Sequence, residues 1–206
     1  MLIEGMKSQD LVRLQIELEY RLSPEGRLVP FPGSTEQCRF IVHKMSDGIC
    51  RFFREDLPDA ICRELETIPG EEAICGSEKV KAILSTHAPC GSIWTGRSYF
   101  FPRLPDADAF RGVAKDEDRF VVMESGELVS WAYSARENDV AAELAVETLH
   151  QFRRRGLARA VTMAWAHFVM KAGKVAFFSH SHDNVASEAL AASLGVEWFT
   201  TGAAYD

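Results

Sequence analysis

Between Ala141 and Gly173 the hydrophobic pattern changes period across a short basic loop, which ties a strand directly to a helix. In 141–148, Ala142, Leu144, Val146 and Thr148 point one way while Glu143, Ala145 and Glu147 point the other, as a strand requires. From Gly156 to Ala172 the apolar positions Val161, Trp165, Phe168 and Ala172 recur at helical spacing, and Gly173 supplies a stop. The loop between them contains Arg153-Arg154-Arg155-Gly156-Leu157-Ala158. Downstream, Val175–Ser179 reads as a short buried strand. Asp183 or Asn184 caps a helix that ends before Gly195, and Val196–Thr200 is a last strand. Upstream, Phe120–Met123 and Leu128–Tyr133 flank the hairpin turn Glu124-Ser125-Gly126-Glu127. The order from Phe120 is β-β-β-loop-α-β-α-β, which predicts an α+β or mixed α/β fold.

That core leaves much of the 206-residue chain to be explained. Residues 1–103 carry the patterning of a separate α+β unit, and 104–206 form the second domain. A short helix fits Gln9–Leu18, and Pro24-Glu25-Gly26 turns between Leu18–Leu22 and Arg27–Phe31. Arg39–Lys44 and Ile49–Arg54 alternate around Ser46-Asp47-Gly48. Helices are expected from Asp56 to about Ile68 and from Ser77 to Leu84, and a strand at Ser98–Phe101. Pro102–Asp118 reads as a polar connection.

Charge narrows the partners. The chain holds 23 Lys and Arg against 30 Asp and Glu, a formal charge of −7, whereas nucleic-acid binders carry a basic excess. Acidic groups predominate in 1–140, so four arginines in 153–159 make a compact basic spot suited to a small anion. The same acidic balance favours a cationic or amine acceptor. Cys38, Cys50, Cys62, Cys75 and Cys90 show no metal-binding spacing, and their odd number reads as reduced, mostly buried thiols. No apolar run approaches the roughly 20 residues of a membrane span. The start, Met-Leu-Ile-Glu-Gly-Met-Lys-Ser, lacks the order of a secretory leader, so a soluble cytoplasmic protein is expected.

The basic loop carries the chemistry. A helix start presents unpaired N–H groups and partial positive charge. Gly156 lets the backbone approach an anion, Ala158 leaves the first turn uncrowded, and arginines add charge-assisted hydrogen bonds to phosphate. The Lys-Ser/Thr of a Walker loop and the G-x-G-x-x-G of a dinucleotide site are both absent. The alternative is a basic loop that merely caps a helix.

With its context, Arg153–Ala158 resembles the Gln/Arg-x-x-Gly-x-Gly/Ala signature of the GNAT superfamily of acyl-CoA N-acyltransferases. The strand at Val175–Ser179, Asn184, the helix to Leu194 and Gly195 resemble that family's second block. The likeness extends from Phe120 to the C-terminus. The N-terminal half more weakly resembles the extra region of an uncharacterised bacterial branch. The resemblance implies a central mixed sheet flanked by helices, with acetyl-CoA or a related acyl-CoA as co-substrate. Backbone N–H groups of Arg154, Arg155, Gly156, Leu157 and Ala158, with Arg159 beside them, would hold the pyrophosphate. The pantetheine would pair with the strand edge near Thr148 and Leu149, and Asn184 would contact its arm. The acceptor would be a small-molecule or peptide amine, with a homodimer left open and neither nucleic acid nor membrane involved.

In such enzymes a base takes a proton from the amine, and an acid protonates the thiolate. Glu143 and Glu147 share a strand face about 13 Å apart, so one at most is the base, and Glu147 is expected nearer the point where the strands part. Either is equally read as a solvated face or an arginine partner. Where the family commonly has a tyrosine acid this chain has Ala191, so Ser187 or Tyr205 substitutes, or no acid is needed. A non-catalytic acyl-CoA-binding module, or an interaction domain whose arginines bind another anion, are the alternatives. His180-Ser181-His182 lacks a third ligand for a metal and is expected to line the acceptor side; no metal is expected. His167 is read as packed, Trp131, Trp165 and Trp198 as core, and His150 as bordering the loop. Too few residues separate Phe101 from Arg119 for the family's two acceptor-side helices, so the N-terminal half is expected to shape that side.

Overall fold

The structure, a computed structural model, describes residues 5–34 and 38–206. The leader reading falls partly on Met1–Glu4, outside the described residues. In chain order the elements are α1 (Ser8–Ile16), β1 (Tyr20–Leu22), β2 (Leu28–Pro30), β3 (Phe40–Met45), β4 (Gly48–Phe53), α2 (Asp59–Glu66), α3 (Gly70–Ala73), α4 (Glu78–Ser85) and β5 (Ile93–Phe100). Then follow β6 (Ala114–Asp116), β7 (Arg119–Glu124), β8 (Glu127–Glu137), β9 (Ala141–Thr148), α5 (Leu157–Lys171), β10 (Val175–Ser181), α6 (Val185–Leu194) and β11 (Glu197–Tyr205). Short 3-10 turns occupy Ala107–Phe110 and His150–Phe152. The expected polar connection from Pro102 to Asp118 therefore contains a 3-10 turn and an edge strand. Among the described residues no helix is long and apolar enough to cross a membrane.

One compact unit comprises Met6–Ser98, Ser181–Asp183 and Phe199–Asp206. Its main strands lie in the order β4-β3-β11-β5, and β1 pairs with β2. The C-terminal residues join this unit because β11 runs antiparallel to β3, from Thr201 opposite Lys44 to Tyr205 opposite Phe40. The apolar faces of α2 and α4 cover Phe40, Val42 and Tyr205 in one core. Buried Arg39 donates to the carbonyls of Leu84, Ala88, Pro89 and Asp206, which satisfies its guanidinium inside the unit.

The other unit comprises Tyr99–His180 and Asn184–Trp198. Its strands lie in the order β10-β9-β8-β7-β6; β10 and β9 are parallel, and the remaining pairs are antiparallel, which makes the sheet mixed. The β7–β8 turn places Ser125 (φ 52°) and Gly126 (φ 85°) in left-handed backbone, the conformation a two-residue hairpin prefers. Helix α5 packs on β7, β8 and β9, burying Val161, Ala164, Trp165 and Val169 against Ala142, Leu144 and Phe178. Phe168 departs from the expected buried stripe: it is 46% exposed, over Phe120. Trp165 is core, as expected, and its indole donates to Ser134 Oγ (3.0 Å). Trp198, the second residue of β11, is not core, being 41% exposed. Of the five cysteines only Cys62 and Cys90 are buried; Cys75 is exposed, so "mostly buried" does not describe them.

Candidate active site

Two parallel strands hydrogen-bond only while they stay about 4.8 Å apart. Strands β9 and β10 do so for a single short stretch, from Ala141 opposite Val175 to Glu143 opposite Phe177. Both continue past that point, β9 to Thr148 and β10 to Ser181, while β9 keeps its ladder with β8 as far as Ser130–Thr148. The edge of β9 beyond Glu143 is thereby released from β10. Backbone groups alternate between the two edges of a strand. Leu149 gives its N–H to the Val129 carbonyl, toward β8, so Thr148 faces the opposite edge. The Thr148 carbonyl accepts from Arg153 Nε (3.2 Å), and its hydroxyl pairs with Ser130 Oγ (2.8 Å). The register thus corrects the expectation about the parting: it occurs at Glu143, not nearer Glu147.

The released edge leads through the 3-10 turn into the basic loop and α5. Helix α5 begins at Gly156 with no side-chain cap, so its first N–H groups lack the partner that Ser, Thr, Asp or Asn usually supplies. Arg154 (φ 62°) and Gly156 (φ 78°) are both left-handed, backbone of the kind that forms N–H concavities for anions. A Cβ on Gly156 would meet nothing within 4 Å, so glycine is required here by backbone conformation, and the space above it is open. Arg155 forms a two-pronged pair with Glu124 (2.7 and 3.0 Å) and lies over the Phe152 ring. Arg159 Nε donates to the Ser193 carbonyl at the end of α6 (3.0 Å). Among the described residues Glu124 is the one acid paired with this arginine cluster, so Arg153, Arg154 and Arg159 keep uncompensated charge. An anionic group fits this backbone.

At the parting point Glu143 is 3% exposed. Its Oε1 accepts a hydrogen bond from Ser179 Oγ, and Arg136 Nη1 stands 3.6 Å from Oε2. Three strands contribute: Arg136 from β8, opposite Glu143 in register beside an irregularity at Ser134–Arg136, and Ser179 two residues past Phe177 on β10. Glu147 is exposed.

A family model described as GNAT acetyltransferase matches residues 119–205. Over residues 119–205, under half of its length, the chain is similar to the GNAT acetyltransferase family. No curated protein matches the chain. Among solved structures, a GNAT-family protein from Novosphingobium aromaticivorans is 17% identical over 56% of this chain and 65% of its own, just under two thirds of its length (TM-score 0.49). A GNAT-family acetyltransferase from Colwellia psychrerythraea is 13% identical over 97% of both chains (TM-score 0.47). A GCN5-related N-acetyltransferase from Kribbella flavida is 15% identical over 98% of this chain and 96% of its own (TM-score 0.44).

Asn184 Oδ1 accepts from the Ser187 N–H (3.0 Å) and so caps α6, leaving its amide nitrogen at the exposed helix start. Ala191, at the family's tyrosine position, is packed in the core. Tyr205 does not substitute for it: it is fully buried in the other unit, donating to the Ala73 carbonyl and accepting from the Ser77 N–H (2.8 Å). Burial pushes its hydroxyl up to about 12, which suits a structural hydroxyl. His180 is buried and stacked on Tyr99 and Phe178. His182 is exposed and its N–H binds the Thr95 carbonyl. Among the described residues no group of three His, Cys, Asp or Glu is placed to hold a metal. His167 is packed, with Nδ1 2.8 Å from the Pro105 carbonyl and its ring against Phe110. His150 begins the turn before the loop and is exposed; Trp131 is half-buried. Sequence reasoning missed Ser179, Arg136 and Glu124. The period-two pattern would have put Ser179 on the face of Glu143, but no spacing reveals that the two strands pair in this register.

Proposed function

We propose that the protein is an acyltransferase that moves an acetyl or related acyl group from a coenzyme A thioester to an amine. The likeness of residues 119–205 to the GNAT acetyltransferase family supports acyl transfer as the class of chemistry. The observation that most supports the fuller reading is the parting of β9 and β10 at Glu143, upstream of a helix that starts without a cap at left-handed Gly156. The N–H groups of Arg154, Arg155, Gly156, Leu157 and Ala158 would hold the pyrophosphate, with Arg159 adding charge. The released edge at Thr148 would pair with the pantetheine, Leu149 would contribute packing, and Asn184 would meet the arm with its amide nitrogen. Bound there, the thioester supplies an activated acyl carbon. The chain supplies orientation and the removal of one amine proton, for which Glu143 is better sited than Glu147 because it stands where the strands separate. Ala191 stands where the family commonly has a tyrosine, and a thiolate, with thiol pKa near 8.5, is a leaving group that tolerates the loss of an acid. The burial of Glu143 and the loss of the tyrosine favour a second reading, an acyl-CoA-binding module without turnover.

Calorimetry with acetyl-CoA, CoA and ATP, followed by a CoA-release assay across small amines and peptides, separates these. Binding of both CoA species with amine-dependent CoA release is expected. Binding without release, unaffected by Glu143→Gln, assigns the module; no CoA binding overturns both readings.

A further inference from the structure

Glu143 is well placed along the strand but poorly placed to touch a substrate, since its side chain is only 5% exposed and lies between β8 and β10. Ser179 is different. It is half-buried, it is the first residue past the parting of β10 that shares the face of Glu143, and its hydroxyl proton is already given to Glu143 Oε1. A serine hydroxyl has one proton to donate and lone pairs to accept another. While the proton points at the carboxylate, an oxygen lone pair remains for an incoming N–H. Arg136, 3.6 Å from the far oxygen, holds the carboxylate from the other side. The arrangement is a buried carboxylate reached through one hydroxyl.

We infer that Ser179 is the catalytic residue that meets the amine and relays its proton to Glu143, an inference that rests on the acyltransfer reading above. As the neutral amine nitrogen bonds to the acyl carbon, one N–H proton passes to Ser179 Oγ while the Ser179 proton passes to Glu143 Oε1. The carbon–sulfur bond breaks with its electron pair on sulfur. The proton on Glu143 returns by the same hydroxyl to solvent or to the thiolate, which restores the starting state. Glu143 never needs to leave its buried position, which reconciles its location with its inaccessibility.

The test compares Ser179→Thr with Ser179→Val, which have nearly the same shape and both suit a strand, but only threonine keeps a hydroxyl. Acyl-CoA affinity by calorimetry is expected to match wild type in both variants, which reports an intact cleft independently of turnover. The kcat of Ser179→Val is expected to fall roughly 100-fold, within the range of lost general base catalysis, and Ser179→Thr to recover most of it. Glu143→Gln is expected to fall as far as Ser179→Val, and the double variant no further, because residues acting as one relay are not additive. Equal kcat for the threonine and valine variants overturns the relay. So does a drop in Ser179→Val that tracks weakened acyl-CoA binding, which would make Ser179 a brace for the strands. If wild type binds acyl-CoA but releases none with any amine, the acyltransfer reading fails and the relay with it.

Discussion

His43 is a histidine the fold holds neutral, and its removal from water can be read as a pH dependence of stability. It lies on β3 between Cys50 of β4 and Gly202 of β11, with its ring buried. Thr200 Oγ1 donates to the Lys44 carbonyl (3.0 Å) and lies 3.3 Å from His43 Nδ1. Among the described residues no acid approaches the ring closely enough to form an ion pair with a second proton. Burial therefore pulls the imidazole down from 6.5 to about 4. The unfolded chain takes up a proton here near 6.5 and the folded one only near 4. Stability from this group is full above about pH 6.5 and is lost as the pH falls from there toward 4. Between about pH 7.5 and pH 5 the loss amounts to about 2 kcal/mol, rising to about 3 kcal/mol below pH 4. Carboxylates elsewhere titrate in the same acid range, so the measurement is a difference against His43→Gln, which carries no proton. Urea unfolding followed by circular dichroism should show the margin of wild type over the variant shrinking by about 2 kcal/mol between these pH values, close to 1 M in midpoint. Parallel pH profiles for the two proteins would refute the buried neutral histidine.

Three further outcomes test the roles assigned above. Tyr205→Phe strands the Ala73 carbonyl and Ser77 N–H and should cost about 1–3 kcal/mol, seen as a lowered Tm, while kcat stays at the wild-type level. A lost kcat in a folded protein would return Tyr205 to the chemistry. Glu124→Gln releases Arg155 from its surface ion pair and should tighten CoA binding a few-fold at low salt, the pair being worth up to about 1 kcal/mol, with the gain fading as salt is raised. Calorimetry at two salt concentrations checks it. Gly156→Val forces a β-branched residue into left-handed backbone, at a cost of about 1–2 kcal/mol, and puts methyl groups into the open space over the loop. Weaker CoA binding is expected in a variant that remains folded; unchanged affinity would remove the loop from the site.

Much of the second unit was legible from local pattern. Strand β9, helix α5, the Asn184 cap and the β7–β8 hairpin each depend on residues close in sequence, where period, cap and turn chemistry act directly. The first unit's hairpin at Ser46-Asp47-Gly48 and the helix capped by Ser77 were legible for the same reason. Phe168 and Trp198 were misread because helical or strand spacing tells which residues share a face, and not whether another element arrives to cover it. Tyr205 was misread as a candidate acid for a related reason: β11 carries it against β3, into a core with Phe40.

The sequence by itself determined that a strand would run through a basic, glycine-bearing loop into a helix, because strand period, helical period and the demand for a left-handed residue are local properties. It also presented Glu143 and Glu147 as equals, since alternation puts both on one face. Only the tertiary structure separated them. The register of β9 with β10 ends at Glu143, burying it beside Arg136 and Ser179 and leaving Glu147 in solvent. Where two strands cease to pair depends on how each is held by its other neighbours, and no residue spacing within either strand encodes that.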